Sequence, residues 1–164
     1  MNKGNGIIFI LTAVGASLLF LYFQSDERKV SKRFSTLAEL VSKEGGESVV
    51  VLATRARGIG KLFHDPCTVE ASDQLHAGSY TPEKITSRVA SARTLFKTLS
   101  LKFYDLNITF PTDGLARVRL TGMLSGQTKQ EELFEETHEM EVDLTKVEGE
   151  WFFSRLQAVQ VLER

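Results

Sequence analysis

The sequence predicts an α+β fold: three N-terminal helices packed on a curved antiparallel sheet, preceded by one transmembrane helix. Three observations lead there. An uncharged apolar run fills residues 7–23. Apolar residues then recur at helical spacing to about residue 99. Beyond residue 100 the apolar period falls to two. Helices followed by strands, rather than alternating with them, mark an α+β domain.

The apolar run reads IIFILTAVGASLLFLYF, without charge or proline. At ~1.5 Å per residue it spans about 26 Å, and Gly6 and Gln24 extend it towards the ~30 Å hydrocarbon core. Tyr22 and Phe23 close the run, where aromatic rings suit the membrane interface. A cleaved signal peptide is the rival reading, with small residues at Ala13-Val14-Gly15-Ala16. Cleavage there would expose the apolar stretch 18–23 as a new terminus, which favours an uncleaved signal anchor. Residues 1–25 therefore read as a membrane anchor and 26–164 as one domain. Counting Arg28, Lys29, Lys32 and Arg33 against Lys3 places that domain in the cytoplasm. Those four bases, however, open an amphipathic helix that folds with the domain. A lysine ahead of an apolar run is also how exported bacterial anchors begin. The reading taken is a single-pass protein with its domain on the extracytoplasmic, periplasmic side.

Ser25 is placed to cap the first helix, with Asp26 and Glu27 in its first turn. Val30, Phe34, Leu37, Leu40 and Val41 give its apolar stripe, and Gly45-Gly46 ends it. A second helix is expected over residues 48–63. A short strand over 67–71 and a loop follow. Thr81 caps a third helix with Pro82 at its first position, and Ile85, Val89, Ala92, Leu95, Phe96 and Leu99 form its expected stripe. Four strands complete the chain. The first, 101–110, changes apolar phase between Phe103 and Leu106, which a one-residue bulge near Tyr104-Asp105 explains. Ala116, Val118, Leu120 and Leu124 alternate along the second. Phe134, Met140, Val142 and Leu144 share a face of the third. Glu148-Gly149 turns the chain into the last, 151–162.

Composition excludes several classes. Of the 164 residues 25% are charged and 42% hydrophobic, an ordinary globular balance. Residues 26–164 carry 19 Lys+Arg against 21 Asp+Glu, a net charge of −2, which is no footprint for nucleic acid. Cys67 is the sole cysteine, so neither an internal disulfide nor a thiolate cluster can form. His64-Asp65 and His76 match no metal-ligand spacing. No metal and no cofactor is expected.

Three phrases are similar to the NTF2-like (SnoaL-like, cystatin-like cone) superfamily: Leu62-Phe63-His64-Asp65-Pro66 after the second helix, Tyr80-Thr81-Pro82-Glu83-Lys84-Ile85 opening the third, and Val147-Glu148-Gly149-Glu150-Trp151 before the last strand. The resemblance runs from about Val30 to the C-terminus. It implies a conical pocket between the helices and the concave sheet face, and a homodimer through the sheet's outer face. It speaks for fold and not for activity, because that superfamily hosts dehydratases, isomerases, cyclases and adaptors.

If Phe134, Met140 and Val142 face inward, so do Glu136 and His138, two titratable groups in an otherwise apolar row. Such a pair can act as acid and base in proton abstraction or dehydration, since histidine titrates near neutrality and burial raises a carboxylate's pKa. Asp65, Tyr80 and Tyr104 are possible companions. The structural alternative, given more weight, makes His138 a hydrogen-bonded strand-edge residue and pairs Glu136 with Arg117 or Arg119. On the opposite face Glu131, Glu135, Glu139, Glu141 and Asp143 read as a solvated surface. Cys67 reads as a buried thiol.

With no family catalytic motif matched residue by residue, the expected function is a non-catalytic, membrane-tethered module. It would bind a small apolar ligand or a protein partner. The alternative is a small dehydratase or isomerase using Glu136 and His138.

Overall fold

The computed structural model describes residues 24–70 and 77–159. Its elements are α1 (24–41), α2 (Val49–Gly60), β1 (Phe63–Glu70), β2 (Gly78–Tyr80), α3 (Pro82–Leu95), β3 (Phe96–Thr112), β4 (Leu115–Thr128), β5 (Leu133–Val147) and β6 (Glu150–Ala158). The fold is α+β, with three helices on a six-stranded sheet of order β2-β1-β6-β5-β4-β3. The sheet is mixed rather than antiparallel, because β1 runs parallel to β6. The expected anchor, residues 1–25 with its apolar run 7–23, lies at or beyond the edge of the described residues. Among those residues no helix is long and apolar enough to cross a membrane.

Local chemistry accounts for the helix starts. Ser48 Oγ accepts from Val51 N at 3.3 Å and caps α2. Thr81 Oγ1 accepts from Lys84 N at 3.4 Å, with Pro82 next in the chain, and caps α3. Ser25 does not cap α1, because residue 24 is already helical. Asp26 is buried instead, accepting from Trp151 Nε1 at 3.2 Å and Lys146 Nζ at 2.9 Å. A carboxylate so engaged ties the start of α1 to the β5–β6 hairpin.

Two expectations about elements fail for identifiable reasons. The region between α2 and α3 holds two strands, not one. Pro66 and the polar residues of β1 obscure its alternation, and β2 is three residues long. α3 stops at Leu95, which is 63% exposed, and Phe96 and Leu99 belong to β3. The buried residue in the last turn of α3 is Arg93.

The concave sheet face carries the core. Ala116, Val118 and Leu120 of β4 lie beside Leu144, Val142 and Met140 of β5. They pack with Val30 and Phe34 of α1, Ile59 of α2, and Leu62 and Phe63. The expected bulge is present: the β3–β4 register shifts between Tyr104 and Asn107, and Asp105 has φ 55°. That extra residue keeps both Phe103, opposite Gly122, and Ile108, opposite Val118, on the inner face. Phe34 stands at the centre, edge-on to Phe103 at 5.2 Å and to Phe153 at 5.1 Å between ring centroids. Such edge-to-face contacts fill space densely and fix ring orientation.

Candidate functional site

Glu136 and His138 do lie on the same strand face as Met140 and Val142, opposite Leu124 and Gly122 of β4. His138 Nε2 and Glu136 Oε2 are 3.5 Å apart. The pair is not enclosed. Residues 135–139 are exposed, and the side chains of Glu136 and His138 are each 62% exposed. This end of β5 extends past the packed core, so a sequence period that locates the face does not locate the cover above it.

The companions are dispersed. Tyr104 pairs in register with Thr121, on the face opposite Phe103, so the sheet separates it from the pair. Tyr80 is buried opposite Cys67, with the Arg88 guanidinium 4.7 Å from its ring centroid. It lies three strands from β5, about 14 Å at ~4.8 Å per strand. Asp65 is exposed on β1, and His64 Nδ1 is 3.3 Å from the Pro66 carbonyl. His76 lies outside the described residues. Among those residues no group of His, Cys, Asp and Glu has the arrangement to hold a metal ion. Cys67 is fully buried, and burial pushes its thiol up to about 11, which keeps it protonated and unreactive near neutrality.

The arginines expected near Glu136 sit on the other face. Arg117 and Arg119 oppose Asp143 and Glu141 across the β4–β5 pair. Arg117 Nε donates to Asp143 Oδ1 at 2.8 Å and Arg119 Nε to Glu141 Oε2 at 3.1 Å. From β6, Arg155 reaches Glu70 at 2.8 and 3.1 Å and Glu141 at 3.4 Å. Glu141 and Asp143 are thus members of an ion-pair lattice rather than a merely solvated row. The Arg155 hydrogen bond holds the Glu70 carboxyl below its usual range, and hydrogen bonding to Asp143 raises the Arg117 guanidinium. Asn107, Arg119, Glu141, Gln157 and Glu70 form one in-register row over five strands, and a groove of about 1000 Å³ lies along it. The signal for this lattice was the alternation of Arg117 and Arg119 with Val118 and Leu120, matched by acids at 139, 141 and 143. Two smaller grooves are also present: one of about 830 Å³ beside Leu99, Gly126, Leu133 and Phe134, and one of about 490 Å³ between α2 and α3, lined by Leu52, Ala53, Ala56, Gly60, Pro82 and Ala90 among others.

No family model and no curated protein sequence matches this chain. Solved structures do. A candidate scytalone dehydratase of Novosphingobium aromaticivorans aligns with TM-score 0.62 and 15% identity over 90% of this chain and 89% of that one. The hexachlorocyclohexane dehydrochlorinase LinA-type3 of Novosphingobium barchaimii aligns with TM-score 0.65 and 11% identity over 85% and 88%. A candidate calcium/calmodulin-dependent protein kinase II association domain of Xanthomonas campestris aligns with TM-score 0.58 and 10% identity over 82% and 84%. At these identities the likeness defines the fold and nothing finer. The chain has the NTF2-like cone fold, which the three sequence phrases implied.

Proposed function

We propose that the chain is a membrane-tethered, non-catalytic interaction module, held by residues 7–23 with its cone domain on the extracytoplasmic side. The observation that carries this reading is the way the cone is filled. Phe34, Phe103, Phe153, Phe63 and Met140 occupy the space between helices and sheet, while the Glu136–His138 pair on the inner face is largely exposed to solvent. Acid–base catalysis of the dehydratase kind depends on an enclosed site that excludes water and sets its groups' pKa values.

Docking then falls to the surface. The outer-face row is self-complementary: a two-fold copy laid across Glu141 and Gln157 sets Arg119 of each chain towards the other's Glu70, and so supports a homodimer through the sheet. Being polar and internally paired, this face suits a wet, reversible contact rather than an obligate one. A small apolar ligand would find a mostly apolar recess in the α2–α3 groove.

One observation favours the alternative, a small dehydratase or isomerase. Glu136 and His138 are within 3.5 Å of each other, and two of the structural neighbours are named for dehydration and dehydrochlorination. Complementation separates the readings. In cells deprived of the protein, the E136Q/H138Q chain should restore the phenotype as well as the unaltered chain does, and a chain lacking residues 1–23 should not. Loss of rescue by E136Q/H138Q, with the protein present at normal level, would establish the enzyme reading.

A further inference from the structure

The first turns of α1 sort their charges by face. Asp26 is turned into the domain, onto Trp151 and Lys146, and Arg33 is paired with Glu150 at the β5–β6 hairpin. Arg28, Lys29 and Lys32 point the other way. At ~100° per residue they fall within one arc of about 100°, opposite Val30 and Phe34. All three are exposed, and they line a shallow hollow of about 310 Å³ with Gln24 and Ser25. None of the three forms an ion pair with a described residue. Exposed Glu27 sits about 100° round the helix from Arg28, outside that arc, and the next acid on their side, Glu39, lies two turns beyond Lys32.

Position gives this unneutralised face its meaning. Residue 24 is already helical, directly after the apolar run. At ~1.5 Å per residue the three bases lie about 6–12 Å along the helix from residue 24. The headgroup layer is roughly 5–8 Å thick and the Debye length about 8 Å, so all three fall within reach of lipid charge. Because Asp26 and Arg33 fix α1 to the sheet, whatever holds this face also sets the orientation of the whole domain.

We propose that Arg28, Lys29 and Lys32 form a headgroup-binding face that lays the start of α1 against an anionic lipid surface. The domain is then oriented on the membrane rather than swinging from its tether. This rests on the reading of residues 7–23 as that tether. Each base near an anionic surface contributes on the order of a five-fold gain in local association.

The test uses the 164-residue chain in vesicles of phosphatidylcholine, with or without phosphatidylglycerol, and a neutral amine-acetylating reagent read by mass spectrometry. With phosphatidylglycerol present, acetylation of Lys29 and Lys32 should slow several-fold, while exposed Lys84 and Lys102 stay unchanged. High salt or R28E should reverse the protection without releasing the chain from the vesicles. Equal acetylation of Lys29 and Lys32 in both vesicles, with the chain floating in both, would overturn the headgroup face and leave the tether standing. A chain that floats with neither vesicle would overturn the tether and the proposal together. Equal protection by inorganic phosphate in lipid-free detergent would also overturn it, by assigning the hollow to a free anion.

Discussion

Arg93 of α3 and Glu47, one residue before the α2 cap, form a buried ion pair with Nη2 and Oε1 2.5 Å apart and side chains 1% and 5% exposed. The same guanidinium donates to the Leu40 carbonyl at 2.9 Å and to that of Val41, at the end of α1. One side chain therefore joins all three helices. The pair is costly, since Arg93 Nε and Glu47 Oε2 have no hydrogen-bond partner among the described residues. Removing one partner leaves a buried charge alone, so R93A should lower unfolding stability by about 3–5 kcal/mol, read by urea denaturation. The double variant E47L/R93M should lie much closer to the unaltered protein. Additive losses in that pair would show that the two residues act independently.

Backbone approach makes a second expectation. A Cβ at Gly126 would lie 2.3 Å from the Thr98 carbonyl oxygen and 3.1 Å from Leu99 Cα, both main-chain atoms that cannot rotate away. At Gly122, on the inner face opposite His138, a Cβ meets Met140 Sδ at 3.5 Å and Phe103 at 3.8 Å, ordinary contact distances. G126A should cost about 1–3 kcal/mol through overpacking, and G122A should be tolerated. Thermal midpoints of the two variants give the comparison; the reverse order would contradict the register of β3 on β4.

The outer lattice should announce itself in acid. Arg155 holds the Glu70 carboxyl below its ordinary range through two hydrogen bonds. A carboxylate whose folded pKa is depressed adds stability above the ordinary carboxylate range and loses it as pH falls through the folded value. The stability difference between the unaltered chain and E70Q should therefore be present near neutrality, begin to shrink as pH drops through the ordinary carboxylate range, about 4, and be lost below the depressed folded value. Denaturation midpoints across that range measure it. A difference that persists unchanged into acid would mean that Glu70 acts by packing alone.

Much of this architecture was legible in the residues. Thr81-Pro82 fixed the start of α3, and the phase change between Phe103 and Leu106 located the bulge at Asp105. β1 was half hidden because His64, Asp65 and Pro66 interrupt its apolar pattern, and its parallel pairing with β6 leaves no trace in local spacing. Arg93 was invisible because a buried base looks, in sequence, like any exposed one. The period of β5 placed Glu136 and His138 on the inner face, but period says nothing about how far the helices reach over that face. Exposure of the pair is a tertiary fact that strand period does not carry.

Phe34, Phe103 and Phe153 occupy the space inside the cone that a substrate would need. Apolar cavities with room to spare take up benzene. Titrating the chain with benzene while recording the ring resonances of Phe34, Phe103 and Phe153 tests the claim directly. The expected result is no saturable shift in any of the three. Saturable shifts of those rings, accompanied by His138, would reveal a chamber behind the Glu136–His138 pair and show that the cone is not filled.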